Sequence, residues 1–373
     1  MVPSSGLHIV HVNSETGFSG GEAQMFLLME GLRSLGHRNS LIARRSSAAA
    51  QRAEAQGYPV ACSSMKNTLD LPGAWSIRCH LQDLAADVVV LHTGRASWLG
   101  GLASWLTGAT AITVRRMDRK VKAGLRNALI HRCWTRRTVG VSQAVIDCLL
   151  AGGVPQEKLL LIHDAVDPAS LRSTQPASRV REALGVAEGR DVLLVLASLD
   201  RRKGIDVLLE ALAQLCPKLD PPGPMLWIAG DGPEAEALRE QTERLHLTEH
   251  VTFLGRRTDA PDLLAACDVF VLPSRREGLG VAALEAMAVG KPVIASNVGG
   301  LGQAVAAGKT GLLVEPEDPI ALAEALGKLI ADTELRKRLA AAGPEHIAQN
   351  FLGSLQVQRY LQLFQELITE PRA

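Results

Sequence analysis

Two glutamates, Glu277 and Glu285, lie in a stretch whose composition suits the binding of phosphates and sugars. The stretch SRREGLGVAALEAMAVGKPVIAS, residues 274–296, is typical of a loop, an apolar helix and a strand in succession. The start of such a helix offers free N–H groups and the positive end of the helix dipole to an anion. Gly278 and Gly280 would let a ligand approach the backbone of the loop closely.

Glu285 lies about one turn inside this helix, between Leu284 and Ala286. An unpaired carboxylate is costly to bury in such apolar surroundings. The vicinal hydroxyls of a ribose would satisfy both of its oxygens, and Glu277 would accept hydroxyls of a second sugar. The alternative is that Glu285 faces solvent or pairs with Lys291 or an arginine.

The composition is that of an ordinary globular protein. The chain has 373 residues, of which 47% are hydrophobic and 21% charged, and this length suffices for two domains. A formal net charge of +1 and an aromatic content of 3% give no support for binding to nucleic acid. No apolar run approaches the roughly 18 residues of a membrane-spanning helix.

The cysteines and the first residues bear on location and metal use. The six cysteines form no Cys-x-x-Cys pair, which is typical of reduced thiols, and the first residues lack the pattern of a signal peptide. We therefore expect a cytoplasmic protein. No Asp-x-Asp occurs anywhere in the chain, and we expect neither a metal nor another cofactor.

Short β-branched runs alternate with helix-like segments along the chain. The candidate strands are LHIVHV, NSLIA, DVVVLH, TAITV, VGVS and LLLIH, and then DVLLVLASL, MLWIAG, VTFLG, DVFVLP, KPVIAS and TGLLV. This alternation predicts an α/β fold with two Rossmann-like, doubly wound parallel sheets. We expect the two domains to face a central cleft, since ligands bind at the carboxyl ends of such strands.

The domain boundaries follow from a break in this rhythm. We predict an N-terminal acceptor-side domain over residues 1–166, joined by a C-terminal helix within 353–373. Residues 167–185 are rich in Ser, Pro and polar residues, and they predict a linker. The second domain, over residues 186–352, is expected to bind the nucleotide.

The set of motifs resembles the retaining glycosyltransferases of family 4, which have the GT-B architecture. It comprises GFSGGEAQMFLLMEGLRSLGH, RRKGIDVLLEAL, LWIAGDGPE, EGLGVAALEAMAVGKPVIASNVGG and GKTGLLVEPEDP, in the family's usual order. The resemblance implies a nucleotide-diphosphate sugar as donor and a glycan or lipid-linked acceptor. It further implies a metal-independent, retaining transfer in the synthesis of a cell-envelope polysaccharide or lipopolysaccharide.

Position by position, the resemblance implies a donor site with residues from both halves. Glu285 would hold the ribose, Glu277 the hydroxyls of the donor sugar, and Lys203 would neutralise the leaving diphosphate. The backbone near the diphosphate and sugar would come from Gly20, Gly21, Gly278, Leu279, Gly280 and Val281. The alternatives are a solvated lysine at position 203 and a plain turn at positions 20 and 21.

Two departures from the family's pattern move charges to other positions. Ser198 stands where members commonly have an arginine, so we expect Arg201 or Arg202 to supply the missing charge at the donor. Many members also have a histidine after the strand corresponding to TAITV, where this chain reads VRRMDRK. We expect Arg116 and His92, which ends the preceding strand, to take its place near the reacting sugar.

Residues 115–137 are rich in Arg and Lys and contain one acid, Asp118. The apolar residues that would line one face of a helix are Leu125, Leu129, Ile130, Cys133 and Trp134. A basic amphipathic helix suits an anionic membrane surface and predicts peripheral binding at the inner face of the cell membrane. The alternative is a helix that buries its apolar face in the first domain.

Three other functions stay open at this point. A nucleotide-sugar epimerase of GT-B-like build would lack an acceptor and would carry acid and base side chains around the sugar. An NAD-dependent oxidoreductase needs a Gly-x-Gly-x-x-Gly turn after the first strand, which GFSGGEAQ does not supply. A sugar-nucleotide binding module would hold the donor without turnover.

Overall fold

The computed structural model describes residues 6–121 and 124–370, which form two parallel β-sheets with helices between the strands. The strands are β1 (His8–Asn13), β2 (Arg38–Ala43), β3 (Val60–Cys62), β4 (Val88–Leu91), β5 (Thr110–Arg115), β6 (Arg137–Gly140), β7 (Leu159–Leu161), β8 (Val192–Leu196), β9 (Met225–Ala229), β10 (Val251–Gly255), β11 (Val269–Leu272), β12 (Val293–Ser296) and β13 (Gly311–Val314). The helices are α1 (Gly20–Ser34), α2 (Ala48–Ala55), α3 (Leu71–Leu84), α4 (Gly94–Thr107), α5 (Leu125–Ala128), α6 (Gln143–Ala151), α7 (Ala177–Ala183), α8 (Ile205–Leu215), α9 (Ala235–Arg244), α10 (Ala260–Ala266), α11 (Val281–Ala288), α12 (Leu301–Ala304), α13 (Pro319–Ala331), α14 (Thr333–Asn350) and α15 (Gly353–Thr369).

The first compact unit contains the residues up to Ala165 and those from Gly353 onward. Its strands have the order β3-β2-β1-β4-β5-β6-β7, and every neighbouring pair is parallel. The residues of β4 are fully buried, as their continuous Val-Val-Val-Leu run predicts. The strand order reverses between β1 and β4, which is where doubly wound sheets leave a crevice for ligands.

The second compact unit is Val166–Leu352. Its strands have the order β10-β9-β8-β11-β12-β13, again all parallel, and the order reverses between β8 and β11. Buried leucines and valines of α8, α13 and the central strands form its main apolar core. The two sheets confirm the predicted fold class. β3, with three residues, is a strand that the sequence pattern did not predict.

Residues 167–185 are not the linker that their composition predicts. They begin with a 3-10 turn, contain α7, and belong to the second unit. The hydroxyls of Ser173 and Thr174 donate to Asp262 of α10, and Arg181 of α7 pairs with Asp268 at 2.7 Å. The polar side chains that suggested a solvated connector therefore serve to fasten this segment to its own unit.

The predicted C-terminal helix is α15, which packs on α1 in the first unit. Its buried Gln356 donates to the carbonyl of His163 at 3.0 Å and to the side chain of Gln24 at 3.3 Å. Gln24 in turn bonds both the N–H and the carbonyl of Ala165. These bonds fix α15 against the segment with which the chain leaves this unit.

Residues 115–137 do not form one amphipathic helix. Their described parts are the end of β5, α5, a π-helical turn over Leu129–Trp134 and the start of β6. Residues 122 and 123 lie outside the described residues. The prediction of a continuous helix was wrong because half of the segment belongs to strands and their connections.

The apolar side chains of this segment also differ in where they point. Ile130 is buried, and the ring of Trp134 packs on Trp98 of α4 with centroids 4.8 Å apart. Leu125, by contrast, is 77% exposed. Among the described residues, no helix has the length and hydropathy needed to cross a bilayer.

The packing of α15 on α1 can be tested at Gly31. A Cβ added there would overlap the Cγ2 atom of Val357 in α15. Because a β-branched side chain has few rotamers to escape into, Gly31→Ala should lower the free energy of unfolding by about 1–3 kcal/mol in urea denaturation. Adding Val357→Ala should recover part of this loss.

Gly94→Ala is the matched control, since a Cβ added in this first turn of α4 meets no atom within 4 Å. It should leave the midpoint of unfolding unchanged or raise it slightly. Equal midpoints for Gly31→Ala and Gly94→Ala would contradict the described contact between α1 and α15.

Candidate functional site

Most of the predicted site residues lie in the second unit, at the carboxyl ends of β8 and β11. These strands are parallel neighbours in the centre of the sheet, so their following loops lie side by side. After β8, Asp200 caps a 3-10 turn, Arg201–Lys203, that leads into α8. After β11, the loop with Glu277 and Gly278 leads into α11.

An ion pair joins the two loops. Lys203 Nζ donates to Glu277 Oε2 at 2.5 Å, and each of the two side chains is only 12% exposed. The same oxygen accepts from Ser274 Oγ at 3.3 Å and lies 3.5 Å from Arg202 Nη1. In the described part of the chain, Oε1 of Glu277 has no hydrogen-bond partner. This second oxygen is therefore free to accept from a ligand.

Arg275 connects the two loops through hydrogen bonds. Its guanidinium makes two bonds of 2.7 Å to the carboxylate of Asp206 in α8 and a third, also of 2.7 Å, to the carbonyl of Arg201. The bonds to Asp206 raise the pKa of Arg275. Burial raises the pKa of Asp206, but the bonds from Arg275 outweigh it and leave that pKa lowered. Arg275 was not predicted as a site residue.

Ser198 and Arg201 do not reach Glu277. Ser198 is exposed, and its hydroxyl donates to Asp200 at 2.7 Å. Arg201 is exposed as well, and its carbonyl accepts from Arg275. Arg201 and Arg202 were the two arginines expected to supply the missing charge. In the structure Arg202, and not Arg201, lies next to Lys203 and Glu277.

Glu285 lies in the second turn of α11, half-buried. Its carboxylate has no hydrogen-bond or ionic partner among the described residues. Lys291, a partner that the sequence allowed, donates instead to the carbonyls of Ala265 and Cys267. Burial raises the pKa of Glu285 to about 7. The hydroxyls of a ligand would donate the hydrogen bonds that this carboxylate lacks.

The start of α11 is open to an anion. The helix begins at Val281 without a side-chain cap, so its first N–H groups keep their hydrogen-bonding capacity. Gly280 has a φ of 88°, and a Cβ there would overlap the side chain of Leu301, so glycine is required. Gly278 is buried and Leu279 is 2% exposed, which leaves their backbone as the part that a ligand would meet.

In the first unit, Gly20 and Gly21 are the first two residues of α1 rather than part of a loop. Ser19 and Glu22 form a capping box around them. A Cβ added at Gly20 would meet nothing within 4 Å, and one at Gly21 would lie 3.9 Å from Cδ of Arg116. Space therefore stays open above the helix start, next to the Arg116 side chain.

A chain of buried side chains lies behind Arg116. Its Nε pairs with Asp164 at 3.1 Å, and its Nη1 lies 3.3 Å from Nδ1 of His92. His92 Nε2 is 2.9 Å from His11 Nδ1, and His11 Nε2 is 3.1 Å from Asn39 Oδ1. Burial lowers the pKa of both imidazoles, that of His11 to about 4, so both rings are neutral at pH 7.

Asn39 sets the direction of every bond in this chain, because its amide N–H groups donate to the carbonyls of Met29 and His37. Its oxygen therefore accepts from His11 Nε2–H, and His11 Nδ1 accepts from His92 Nε2–H. His92 Nδ1 is left to accept from Arg116. His92 is only 7% exposed, so it positions Arg116 rather than facing an open surface.

The described residues contain no group of three or more His, Cys, Asp and Glu placed to hold a metal ion. His246 and His250 have a spacing that occurs in metal sites, but they lie in a turn, where His250 Nδ1 is 3.1 Å from the carbonyl of Pro224. All six cysteines are free thiols.

Two family models match consecutive parts of the chain. Residues 18–170 match "Glycosyltransferase Family 4", and residues 177–346 match "Glycosyl transferases group 1". The D-inositol 3-phosphate glycosyltransferase of Corynebacterium urealyticum is 36% identical over 212 residues, covering 55% of this chain and 49% of the relative. The lipopolysaccharide core biosynthesis glycosyltransferase LpsE of Rhizobium meliloti is 35% identical over 183 residues, covering 49% and 52%. The chain spans about half the length of the curated relatives it matches.

Solved structures share the fold over nearly the whole chain. HepE of Anabaena, solved in complex with UDP and glucose, has a TM-score of 0.86 at 24% identity and covers 96% of this chain and 100% of its own. A glycosyltransferase from Rickettsia africae has a TM-score of 0.86 at 22% identity and covers 98% and 100%. At these identities the likeness establishes the two-sheet architecture.

The raised pKa of Glu285 predicts a pH-dependent cost of folding. The ordinary pKa of 4.5 rises to about 7 in the folded chain, so the stability that this group contributes is present below pH 4.5 and lost as the pH rises to 7. Glu285→Gln should therefore raise the free energy of unfolding by up to about 3 kcal/mol at pH 8, and by much less at pH 5.

Urea denaturation at both pH values measures this difference. Glu324→Gln, at an exposed position of α13, is the control and should show the same small effect at pH 5 and pH 8. A Glu285→Gln effect that does not change with pH would mean that this carboxylate is solvated or paired.

Proposed function

The chain belongs to the family 4 glycosyltransferases of GT-B fold, and on this premise we propose that it transfers a sugar from a nucleotide-diphosphate sugar to an acceptor. We infer that the transfer retains the anomeric configuration and that no metal takes part. The observation that carries the proposal is the Glu285 carboxylate, which no described residue pairs with and which lies one turn inside a helix without a side-chain cap.

The donor fits this arrangement group by group. The diphosphate lies at the start of α11, where free N–H groups and the helix dipole favour an anion. The ribose hydroxyls donate to Glu285, and the free Oε1 of Glu277 accepts from hydroxyls of the sugar. UDP, which is bound in the HepE structure, is the nucleotide to test first.

Breaking the sugar–phosphate bond builds negative charge on the diphosphate and positive charge on the sugar. Fixed cations aimed at the diphosphate lower this barrier, and they do so best where water is excluded. Lys203 and Arg202 are such cations, because Glu277, Asp200 and the Arg275 bonds hold them in place before the donor arrives. They supply the charge that a metal ion supplies in other transferases.

In the first unit, Arg116 and the start of α1 offer a cation and N–H groups to a substrate of the transfer. Arg116 donates to the neutral His92 and forms an ion pair with Asp164. Its guanidinium is therefore fixed without being fully neutralised. A front-face transfer, in which the leaving phosphate takes the acceptor proton, needs no nucleophilic carboxylate. This agrees with Glu277, whose Oε2 is bound by Lys203.

We propose a glycan or lipid-linked glycan of the cell envelope as the acceptor. The support is the name of LpsE, a lipopolysaccharide core enzyme, among the relatives. Contact of the first unit with an anionic membrane on the cytoplasmic side is part of this proposal, with the exposed Leu125 next to Arg126 as its anchor. Epimerisation is disfavoured because the relatives named above are glycosyltransferases.

A donor screen followed by a transfer assay tests the proposal. UDP-, GDP- and ADP-sugars are compared for the rise in melting temperature that ligand binding causes. The donor that binds is then incubated with envelope glycans, with and without EDTA, and the product anomer is read by NMR. Nucleotide release that requires an acceptor, yields the retained anomer and is insensitive to EDTA supports the proposal. Conversion of the donor into an epimer without acceptor would contradict it.

Lys203→Ala should lower kcat by about 10²–10³-fold with a smaller change in donor affinity, because the charge it meets grows in the transition state. Glu285→Ala should instead weaken donor binding by about 10–100-fold, since it removes hydrogen bonds to a charged group. Lys309→Ala, an exposed change just before β13, should leave both quantities unchanged. Steady-state kinetics and donor titration separate the two effects, and a Lys203→Ala enzyme with normal kcat would remove the assigned role.

A further inference from the structure

A basic pocket in the first unit takes no part in the site described above. It has a volume of about 360 Å³ and follows the ends of β2 and β3. Its lining consists of Arg44, Arg45, Cys62, Ser63, Ser64 and Lys66. Two short loops thus place three cationic side chains around one concavity.

The carboxylate of Asp70 attracts Lys66 electrostatically, but none of the three cations is held in a described ion pair. Within the described residues, neither Arg44, Arg45 nor Lys66 forms an ion pair with a carboxylate. The acid nearest in sequence, Asp70, caps α3, and its oxygens accept from the hydroxyl of Ser64 and from the N–H groups of Lys66 and Gly73. Like charges gathered in a concavity repel each other, and an anion placed among them removes that repulsion.

The pocket is shaped before any ligand arrives. Ser46 and Met65, one in each loop, have positive φ angles of 58° and 38°, a conformation that non-glycine residues adopt only when the surroundings impose it. Ser47 is anchored as the cap of α2, while Met65 is fully buried and its carbonyl accepts from Arg95 at 2.8 Å. The loops that carry the cations are therefore fixed by contacts with the rest of the unit.

The pocket lies at the same edge of the sheet as the start of α1. The sheet has the order β3-β2-β1, so the loops after β2 and β3 leave the same edge as the loop before Gly20. Neighbouring strands lie about 4.8 Å apart, which puts the pocket about one or two strand spacings from the end of β1. The N–H of Ala48 donates to the carbonyl of Thr16 and ties the two loops together. This spacing is comparable to the length of one sugar ring.

We propose that this pocket binds the phosphate group of an anionic acceptor. Two arginines offer planar pairs of N–H donors to phosphate oxygens, and Lys66 adds a third positive charge. An acceptor held there by its phosphate extends toward the end of β1. The assignment to the acceptor rests on the proposed function, whereas the binding of phosphate does not.

Calorimetric titration with inorganic phosphate, at constant ionic strength and pH 7.5, tests the pocket directly. The Arg44→Ala/Arg45→Ala double variant should bind phosphate at least about tenfold more weakly than the wild type, since each lost charge-assisted bond contributes that much or more. Arg38→Ala is the matched control: it removes an exposed arginine from the same strand at its opposite end. Lys203→Ala identifies any phosphate that binds in the second unit instead.

Two further probes separate the possible sources of the phosphate. Binding of glucose 6-phosphate but not of glucose, lost in the double variant, indicates a soluble phosphorylated acceptor. Sedimentation with phosphatidylglycerol vesicles, lost in the double variant, indicates a lipid-linked phosphate. If the double variant binds all three phosphate probes as the wild type does, or if Arg38→Ala loses as much, the proposal is overturned.

The double variant should fold, because the two guanidinium groups it lacks have no described partner, and its melting temperature should equal or exceed that of the wild type. Its thermal shift with nucleotide sugars should also be unchanged. A wild type that binds phosphate in this pocket but no nucleotide sugar would contradict the proposed function and leave the pocket standing. A wild type that binds a nucleotide sugar but no phosphate in this pocket would contradict the pocket proposal alone.

Discussion

The half-buried carboxylate of Glu285 has no partner among the described residues, and its surroundings keep it that way. The lysine closest to it in sequence, Lys291, is drawn to two backbone carbonyls instead. The helix that carries Glu285 begins without a cap, on a glycine whose φ of 88° and contact with Leu301 admit no side chain. These features leave the carboxylate and the first N–H groups of the helix without partners, and the glycine leaves the backbone there without a side chain. Folding alone gains nothing from them, so a ligand is their natural complement.

The cations on the loops after β8 and β11 follow the opposite rule. Lys203 and Arg202 are bound by carboxylates on their own or the neighbouring loop, and Arg275 fixes both loops through Asp206. In the first unit the neutral His92 and His11 do the same for Arg116 without adding charge. Charges held in this way need little reorganisation when new charge develops beside them, which is the condition under which electrostatic stabilisation is most effective.

The sequence pattern predicts the described strands apart from β3, and it predicts a site from residues that are near each other along the chain, such as Glu277, Gly280 and Glu285. It does not predict contacts between distant residues: His11 and His92 are 81 positions apart, and Arg275 and Asp206 are 69 apart. A polar composition predicts a linker whether the polar side chains are solvated or bonded to a neighbouring helix. The second case holds for residues 167–185. In the basic stretch 115–137, the apolar residues at helical spacing do lie in α5 and the π-helical turn, but the residues before and after them belong to strands and connections.

The two helix starts that carry glycines differ in the charge they leave for a ligand. At α1, the buried carboxylate of Glu22 accepts from Ser19 and Asn13, and it already offsets the positive end of the helix dipole. At α11 no acid lies in the first turn, and Lys203 stands on the adjoining loop. A dianionic diphosphate is therefore favoured at α11 on electrostatic grounds alone. The start of α1 offers the N–H groups of its first turn and the single charge of Arg116, which suit a group of lower charge such as a sugar hydroxyl.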